Sequence, residues 1–401
     1  MKQLDVIKQL SQKTDSKIIL LVMDGLGDIQ YPSCDKTALE KAKHPNLDKL
    51  LKDGCCGVTD PIFPGITPGS GPAHVGMFGY NPFEHEIGRG LLDTVGVDFD
   101  FTADDMAARG NFAAIDDNDI ITDRRAGRIS TEVNEELCKK LSEIKIDGVE
   151  IFLKTVKEHR LSVIFRAKNL NDRLLDADPQ KVGLKPLEVK PTIPDAQKTA
   201  DMVNEFLRKA KEILKDSHPA NMVLLRGFSK MINIEKYQEI FKLNPAAIAT
   251  YPMYRGLAKL VGMDVLKTGD TIESEFDTLV ENYDKYDFFF MHIKKTDSYG
   301  EDGNFDSKVK VIEEVDKYLP KLMKLNPDVV VVTGDHSTPA VMKGHSWHPV
   351  PLLVYSKVCR KDEAKTFNET ECVRGGLSRL SAQSIMPIAM ANAGKLIKYG
   401  A

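Results

Sequence analysis

The sequence predicts an α/β protein: a mainly parallel sheet core sandwiched by helices, with an inserted smaller α+β domain. Three observations carry that expectation. Short apolar runs alternate with amphipathic helical stretches, the pattern of a parallel sheet covered on both faces. Polar residues cluster just after several of these runs, where open α/β sheets place their active sites. The alternation breaks between about Asp98 and Pro194, where charged and turn residues increase, and then resumes.

The first run, KIILLVMDGLGD at 17–28, is apolar up to an abrupt Asp24-Gly25. A buried strand that delivers an acid at its C-terminal end reads this way. NMVLLRG (221–227), AAIATYP (246–252), YDFFFMHIKKTD (286–297), PDVVVVTGDHS (327–337) and VPLLVYS (350–356) read as further core strands. Helices are expected at 195–216 and 305–324. In the second, Val309, Ile312, Val315, Leu319 and Leu322 recur at helical spacing. Within the interruption, VEIFLKTV (149–156) and RLSVIFRA (160–167) flank KEH as a hairpin, and proline-marked boundaries follow at 176–180 and 190–195. The expected organisation is a core in two parts, 1–97 and 195–401, around an inserted domain at 98–194. Insertion into a surface loop is physically easy.

Composition limits the partners. Of 401 residues 42% are hydrophobic and 7% aromatic, enough for a sizeable core. Lysine and arginine number 55 against 59 acids, a net charge of −4. That balance argues against a nucleic-acid-coating protein and leaves room for a small anionic substrate held by a few local arginines. The six cysteines (Cys34, Cys55, Cys56, Cys138, Cys359, Cys372) form no CxxC pair and read as reduced thiols of a cytosolic protein. No apolar leader precedes Asp5, and runs such as 18–23 fall far below the ~20 residues of a membrane span. The expectation is a soluble, cytoplasmic protein with no nucleic-acid or membrane partner.

The sharpest chemical signal is TGDHST at 333–338, directly after four valines. Asp335 and His336 leave a buried strand there with little freedom, either as a strand cap or as metal ligands; oxygen with imidazole suits Mn²⁺ or Zn²⁺. Asp24 and Asp297 end other strands, and His345 and His348 precede the last one. In FPGITPGSGPAH (63–74), Ser70 stands between two glycines, either in an ordinary turn or exposed as a nucleophile at a helix start. A serine hydroxyl needs activation, and a bound metal with helix N–H groups around a phosphate would supply it.

Taken together, these motifs resemble the alkaline-phosphatase superfamily and, within it, the archaeal-type cofactor-independent phosphoglycerate mutases. The resemblance spans nearly the whole chain: MDGLGD (23–28), TPGSGPAH (67–74), GRGLLDTVG (88–96), ARGNFAAID (108–116), DRRAGRIS (123–130), HIKKTDSYGEDG (292–303), TGDHSTP and HSWHPVP. It implies an alkaline-phosphatase-like core. It also implies interconversion of 3-phosphoglycerate and 2-phosphoglycerate through a phosphoserine, in glycolysis and gluconeogenesis, with no 2,3-bisphosphoglycerate requirement. Ser70 would accept the phosphoryl group, and Asp123 would be the acid/base residue. Asp24, Ser70, Asp335 and His336 would hold one divalent ion, and Asp297, His345 and the residue four after Asp297 the other.

At that last place the family pattern is D-x-x-x-H, whereas this chain has Glu301, which tilts preference from Zn²⁺ towards Mn²⁺ or Mg²⁺, with Co²⁺ also admissible. Arg109, Arg124, Arg125, Arg128, Arg255, Lys294 and Lys295 would bind the substrate's anionic groups, arginine's fork suiting both carboxylate and phosphate. Arg226 reads as a further donor or a structural ion pair. His348 reads as a ligand, a substrate contact or a loop cap. Related readings on the same core are a homoserine-kinase-like phosphotransferase or a phosphomonoesterase.

Overall fold

An apolar run with no polar interruption is stable as a strand only where both faces are covered. The six residues IILLVM and the five residues VVVVT meet that condition, each with every residue buried. The computed structural model describes residues 2–400. From the N-terminus it runs β1 (Ile18–Met23), β2 (Gly54–Asp60), α1 (Ser70–Met77), α2 (Arg89–Gly96), β3 (Asp105–Ile115) and β4 (Ile121–Asp123). Next come α3 (Thr131–Leu141), β5 (Glu150–Lys157), β6 (Arg160–Arg166), α4 (Gln197–Leu214), β7 (Met222–Lys230) and β8 (Pro245–Ala249). The remainder is α5 (Pro252–Leu260), β9 (Asp264–Val265), α6 (Ile272–Asn282), β10 (Phe288–Ile293), α7 (Lys295–Glu301), α8 (Phe305–Met323), β11 (Val329–Thr333), β12 (Val350–Ser356) and β13 (Ser378–Ser381). Further helices include Gln3–Leu10 before β1, Pro45–Lys52 before β2 and Ile385–Asn392 after β13. No helix among the described residues is long and apolar enough to cross a membrane.

The chain forms two compact units, one from residues 1–86 with 234–401 and the other from 87–233. The first holds an eight-stranded sheet in the order β13-β2-β12-β11-β1-β10-β8-β9. Every neighbouring pair is parallel except those of β12, which runs antiparallel to both β11 and β2. Register brings the strand ends level: Met23 pairs with Ile293, and Val22 with Thr333. The residues that follow β1, β10 and β11 therefore leave the sheet at one edge. Because β12 is reversed, its beginning lies at that same edge, so the segment before it joins the segments after the others. Helix α8 closes one face, burying Val309, Ile312, Val315, Leu319 and Leu322.

The second unit is an antiparallel sheet, β4-β3-β6-β5, with β7 on the other side of β3. Helices α3 and α4 bury Leu137, Leu141, Phe206 and Ala210 against Phe112 and Phe165. Two expectations change here. The run at 221–227 is not a core strand, because β7 pairs antiparallel with β3. The second unit spans 87–233, wider than 98–194, since α2, α4 and β7 all belong to it. The cause is physical: an amphipathic helix followed by an apolar strand fits either sheet, and only the pairing partner distinguishes them.

One buried acid sets a pH dependence. Glu275, in the first turn of α6, is 3% exposed. Burial pushes its carboxyl up to about 8 from an ordinary 4.5, against the opposing pull of Lys295. The folded state thus holds this proton more tightly than the unfolded chain. The stability this contributes is fully present below about pH 4.5 and is lost as pH rises through 8. Glu275→Gln is expected to match wild type in urea unfolding at pH 5. At pH 9 it should exceed it by roughly 2–4 kcal/mol.

Candidate active site

Asp24 follows β1 directly, and Gly25 after it adopts a left-handed φ of 61°. A side chain at Gly25 would meet Thr338 Oγ1 at 2.5 Å and Asp297 Oδ1 at 2.9 Å, so a glycine is required for the loops to close on one another. Asp335 and His336 follow β11, Lys294 and Asp297 follow β10, and Tyr254 follows β8 on α5. All are buried except Lys294, which is partly so. Ser70 opens α1, where the N–H groups of the first turn have no helical acceptor, and Pro72 contributes none.

Oxygen and imidazole atoms converge here. Ser70 Oγ lies 3.2 Å from His336 Nε2. That nitrogen is 3.4 Å from Asp24 Oδ1 and 3.2 Å from Asp335 Oδ2. His345 Nε2 lies 3.5 Å from Asp297 Oδ1 and 3.9 Å from Glu301 Oε1, while its Nδ1 donates to Pro68 O at 2.9 Å. The His336 and His345 rings stack with centroids 3.7 Å apart. Two groups result that could each hold a metal ion: Asp24, Asp335 and His336, and Asp297, His336 and His345.

The electrostatics test that reading. Asp24 Oδ1 and Asp335 Oδ2 are buried and have no hydrogen-bond partner. Ionised carboxylate oxygens have only lone pairs to offer, so two of them unsatisfied beside an imidazole nitrogen call for a cation. Burial would raise the Asp24 carboxyl, but Lys294 foremost, with His292 and His336, holds it well below the usual range. Lys294 Nζ donates to Asp24 Oδ2 at 2.9 Å and to Asp297 Oδ2 at 2.5 Å. The donor set of carboxylates and imidazoles fits a divalent ion such as Mn²⁺ or Zn²⁺.

A layer beneath the cluster escaped the sequence reading. Tyr254 donates to Asp24 Oδ2 at 2.5 Å and stacks on His292, centroids 3.6 Å apart. His74 Nδ1 donates to Ser70 O at 2.8 Å and lies 3.3 Å from Asp335 Oδ2. Position four after Ser70 on one helix face was the available signal for His74. A strand-end position was the signal for Tyr254. His292, inside FFFMHI, carried none.

Other expected residues lie elsewhere. Lys295 is exposed, and its charge acts on Glu275. His348 is outside both groups: its Nδ1 lies 2.9 Å from Ser346 Oγ, and its carbonyl accepts from Ser337 Oγ at 3.0 Å. Glu301, by contrast, stays at the rim of the cluster: it is exposed, one helical turn beyond Asp297 on α7, with Oε1 3.9 Å from His345 Nε2. Arg255 is half-buried in the first turn of α5.

The second unit gathers its own cations. Arg109 and Arg226 sit directly opposite each other on β3 and β7. Arg109 forks onto Asp93, with Nη2 2.7 Å from Oδ1. Arg124 forks onto Asp178 at 3.0 and 2.6 Å. Arg226 Nε is buried without a partner, and burial, with Arg109 and Arg89 next, lowers its guanidinium to about 10. Asp123 accepts from its own loop, Oδ1 from Arg125 N at 2.8 Å and Oδ2 from Gly127 N at 2.6 Å. Arg125 and Arg128 are exposed.

Comparison with known proteins agrees with this chemistry. Residues 52–221 match the family described as 2,3-bisphosphoglycerate-independent phosphoglycerate mutase. The chain is 55% identical to a probable enzyme of that name from Thermosipho africanus, over 99% of this chain and 98% of that one. It is 49% identical to the Thermus thermophilus counterpart, over 99% of both. Among solved structures, a Pyrococcus horikoshii protein aligns at a TM-score of 0.83 and 32% identity, covering 96% of this chain and 99% of the other. The cofactor-independent phosphoglycerate mutase from Thermoplasma acidophilum aligns at 0.69 and 31%, covering 94% and 100%.

The unpartnered oxygens give a direct test. Adding Mn²⁺ to chelator-treated protein at about 100-fold over its dissociation constant is expected to raise the melting temperature by roughly 2–4 °C. Asp335→Asn should lose most of that rise in the same differential scanning measurement.

Proposed function

The chain belongs to the family of 2,3-bisphosphoglycerate-independent phosphoglycerate mutases, and from that premise we propose that it interconverts 3-phosphoglycerate and 2-phosphoglycerate through phosphorylated Ser70. The observation that carries this reading is the position of Ser70 Oγ, 3.2 Å from His336 Nε2 at a helix N-terminus beside the unpartnered oxygens of Asp24 and Asp335. In this reading Asp24, Ser70, Asp335 and His336 hold one divalent cation. Asp297 and His345 hold the other, with Glu301 brought to the same face by its spacing of one helical turn. An oxygen-rich donor set favours Mn²⁺. Bound cations would supply positive charge to the phosphoryl oxygens and lower the pKa of the Ser70 hydroxyl.

The chain's own groups do the rest. Ser70 Oγ attacks phosphorus, the substrate's P–O bond breaks with its electron pair staying on the glycerate oxygen, and that oxygen takes up a proton in place of the one the serine hydroxyl loses. The N–H groups at the start of α1 and the Lys294 ammonium receive phosphoryl oxygens. The other glycerate hydroxyl then takes the phosphoryl group back from Ser70, so no bisphosphorylated cofactor is consumed. Asp123 keeps one lone pair on each oxygen after holding its loop, enough to exchange protons with the glycerate hydroxyls. Arg109, Arg124, Arg125, Arg128 and Arg226 are the donors we assign to the substrate's anionic groups, with Arg255 contributing from the first unit. A cytoplasmic place in glycolysis and gluconeogenesis follows from this reading.

Ser70→Ala is expected to lower isomerisation, assayed without 2,3-bisphosphoglycerate, by about 10³-fold or more, with an unchanged melting temperature. Isomerisation that survives in Ser70→Ala would rule out transfer through this serine. Glu301→Ala should reduce tightly bound Mn²⁺, measured by elemental analysis, from two ions towards one. Full occupancy in that variant would remove Glu301 from the ligand set.

A further inference from the structure

Thr338 is fully buried, and its hydroxyl stands between the two candidate metal groups. Thr338 Oγ1 donates to Asp297 Oδ1 at 2.7 Å and lies 2.9 Å from His336 Nδ1. A hydroxyl has one proton, and the threonine's is spent on Asp297 Oδ1. The same oxygen must then accept from His336, which places the imidazole proton on Nδ1. His336 Nε2 is left with its lone pair facing Ser70 Oγ, Asp24 Oδ1 and Asp335 Oδ2.

The threonine is itself held from every side. Its N–H donates to Gly27 O at 3.0 Å, tying it to the loop after β1. Its carbonyl accepts from Lys308 Nζ at 2.9 Å. Lys308 is fully buried on α8 and also donates to Gly27 O at 3.2 Å, with Asp28 Oδ2 at 3.2 Å as its counter-charge. A side chain at Gly300 would meet Thr338 O at 2.4 Å and Cγ2 at 2.9 Å, so α7 packs against the threonine without a gap. A buried ammonium donating to two loop carbonyls is costly to desolvate, and here it joins the loop after β1 to the loop after β11.

We infer that Thr338 is a positioning residue: its hydroxyl fixes the His336 proton on Nδ1 and links the two metal groups, while Lys308 holds it in place. The inference rests on the reading that those groups bind divalent cations. Groups behind metal ligands tune affinity by about 10–100-fold when altered. Threonine's role divides into a hydroxyl and a methyl, and two substitutions separate them. Thr338→Val keeps the shape and removes the hydroxyl; Thr338→Ser keeps the hydroxyl and removes the methyl.

The test is Mn²⁺ calorimetry on chelator-treated full-length protein, alongside ¹⁵N-histidine spectra of the metal-free protein with His336 assigned by substitution. Thr338→Val is expected to bind Mn²⁺ about 10–100-fold more weakly in both groups and to lose the pure Nδ1–H signature of His336. Thr338→Ser should stay within about threefold of wild type and keep that signature. Lys308→Met should shift affinity in the same direction as Thr338→Val, by less. Unchanged affinity in Thr338→Val, or equal losses in Val and Ser, would overturn the inference in favour of simple packing. If wild type binds no divalent ion, the metal reading fails. The imidazole spectrum then still decides the role of Thr338: an Nε2–H tautomer in wild type overturns it.

Discussion

Three carboxylates, Asp24, Asp297 and Asp335, are drawn out of water into one cluster, and negative charge at that density does not stay buried without positive charge beside it. Lys294 meets part of the need by bridging Asp24 and Asp297. The Tyr254 hydroxyl meets more by donating to Asp24. Two carboxylate oxygens are still left over, and their convergence with His336 makes a group that could hold a cation. The surrounding architecture follows from this requirement: level strand ends, a glycine where loops touch, a buried lysine joining two of them. Each fixes an acceptor that would otherwise relax towards solvent.

Much of that site was legible in the sequence because a buried parallel strand writes its own end. An apolar run that stops at an acid identifies Asp24, and the acids a few residues beyond two other such runs identify Asp297 and Asp335, with no knowledge of which strands are neighbours. His345 was legible only as a residue before a strand. Its presence at the same edge depends on β12 being reversed, and nothing in VPLLVYS encodes direction. The same blindness to partners misplaced 221–227, whose pairing with β3 is a tertiary fact. Tyr254 and His292 were hidden for another reason. An aromatic ring in an apolar stretch looks like packing, and here each ring packs while its polar edge serves Asp24.

The second unit presents the opposite electrostatic problem. Arg109 faces Arg226 across two paired strands, a like-charge pair that neutral surroundings would push apart. Asp93 neutralises Arg109, and Asp178 neutralises Arg124, so a cationic surplus remains around Arg226. The adjoining loop is strained as well: Ala126, Gly127 and Arg128 are all left-handed, a conformation that costs energy for the two residues with side chains. Asp123 holds that loop through two backbone N–H groups.

The interrupted course of the first unit also shapes how the protein is made. β1 pairs with β10 and β11, which the ribosome produces only after the whole of 87–233 has emerged. The second unit is contiguous and complete by then, and domains fold as units during synthesis. β1, apolar along its whole length, must wait through that interval with both edges unpaired. An unpaired apolar edge invites pairing with other chains. Nascent chains of this protein therefore carry an aggregation hazard while the second unit is folding, and for β1 it ends only when β10 and β11 arrive to cover its two edges.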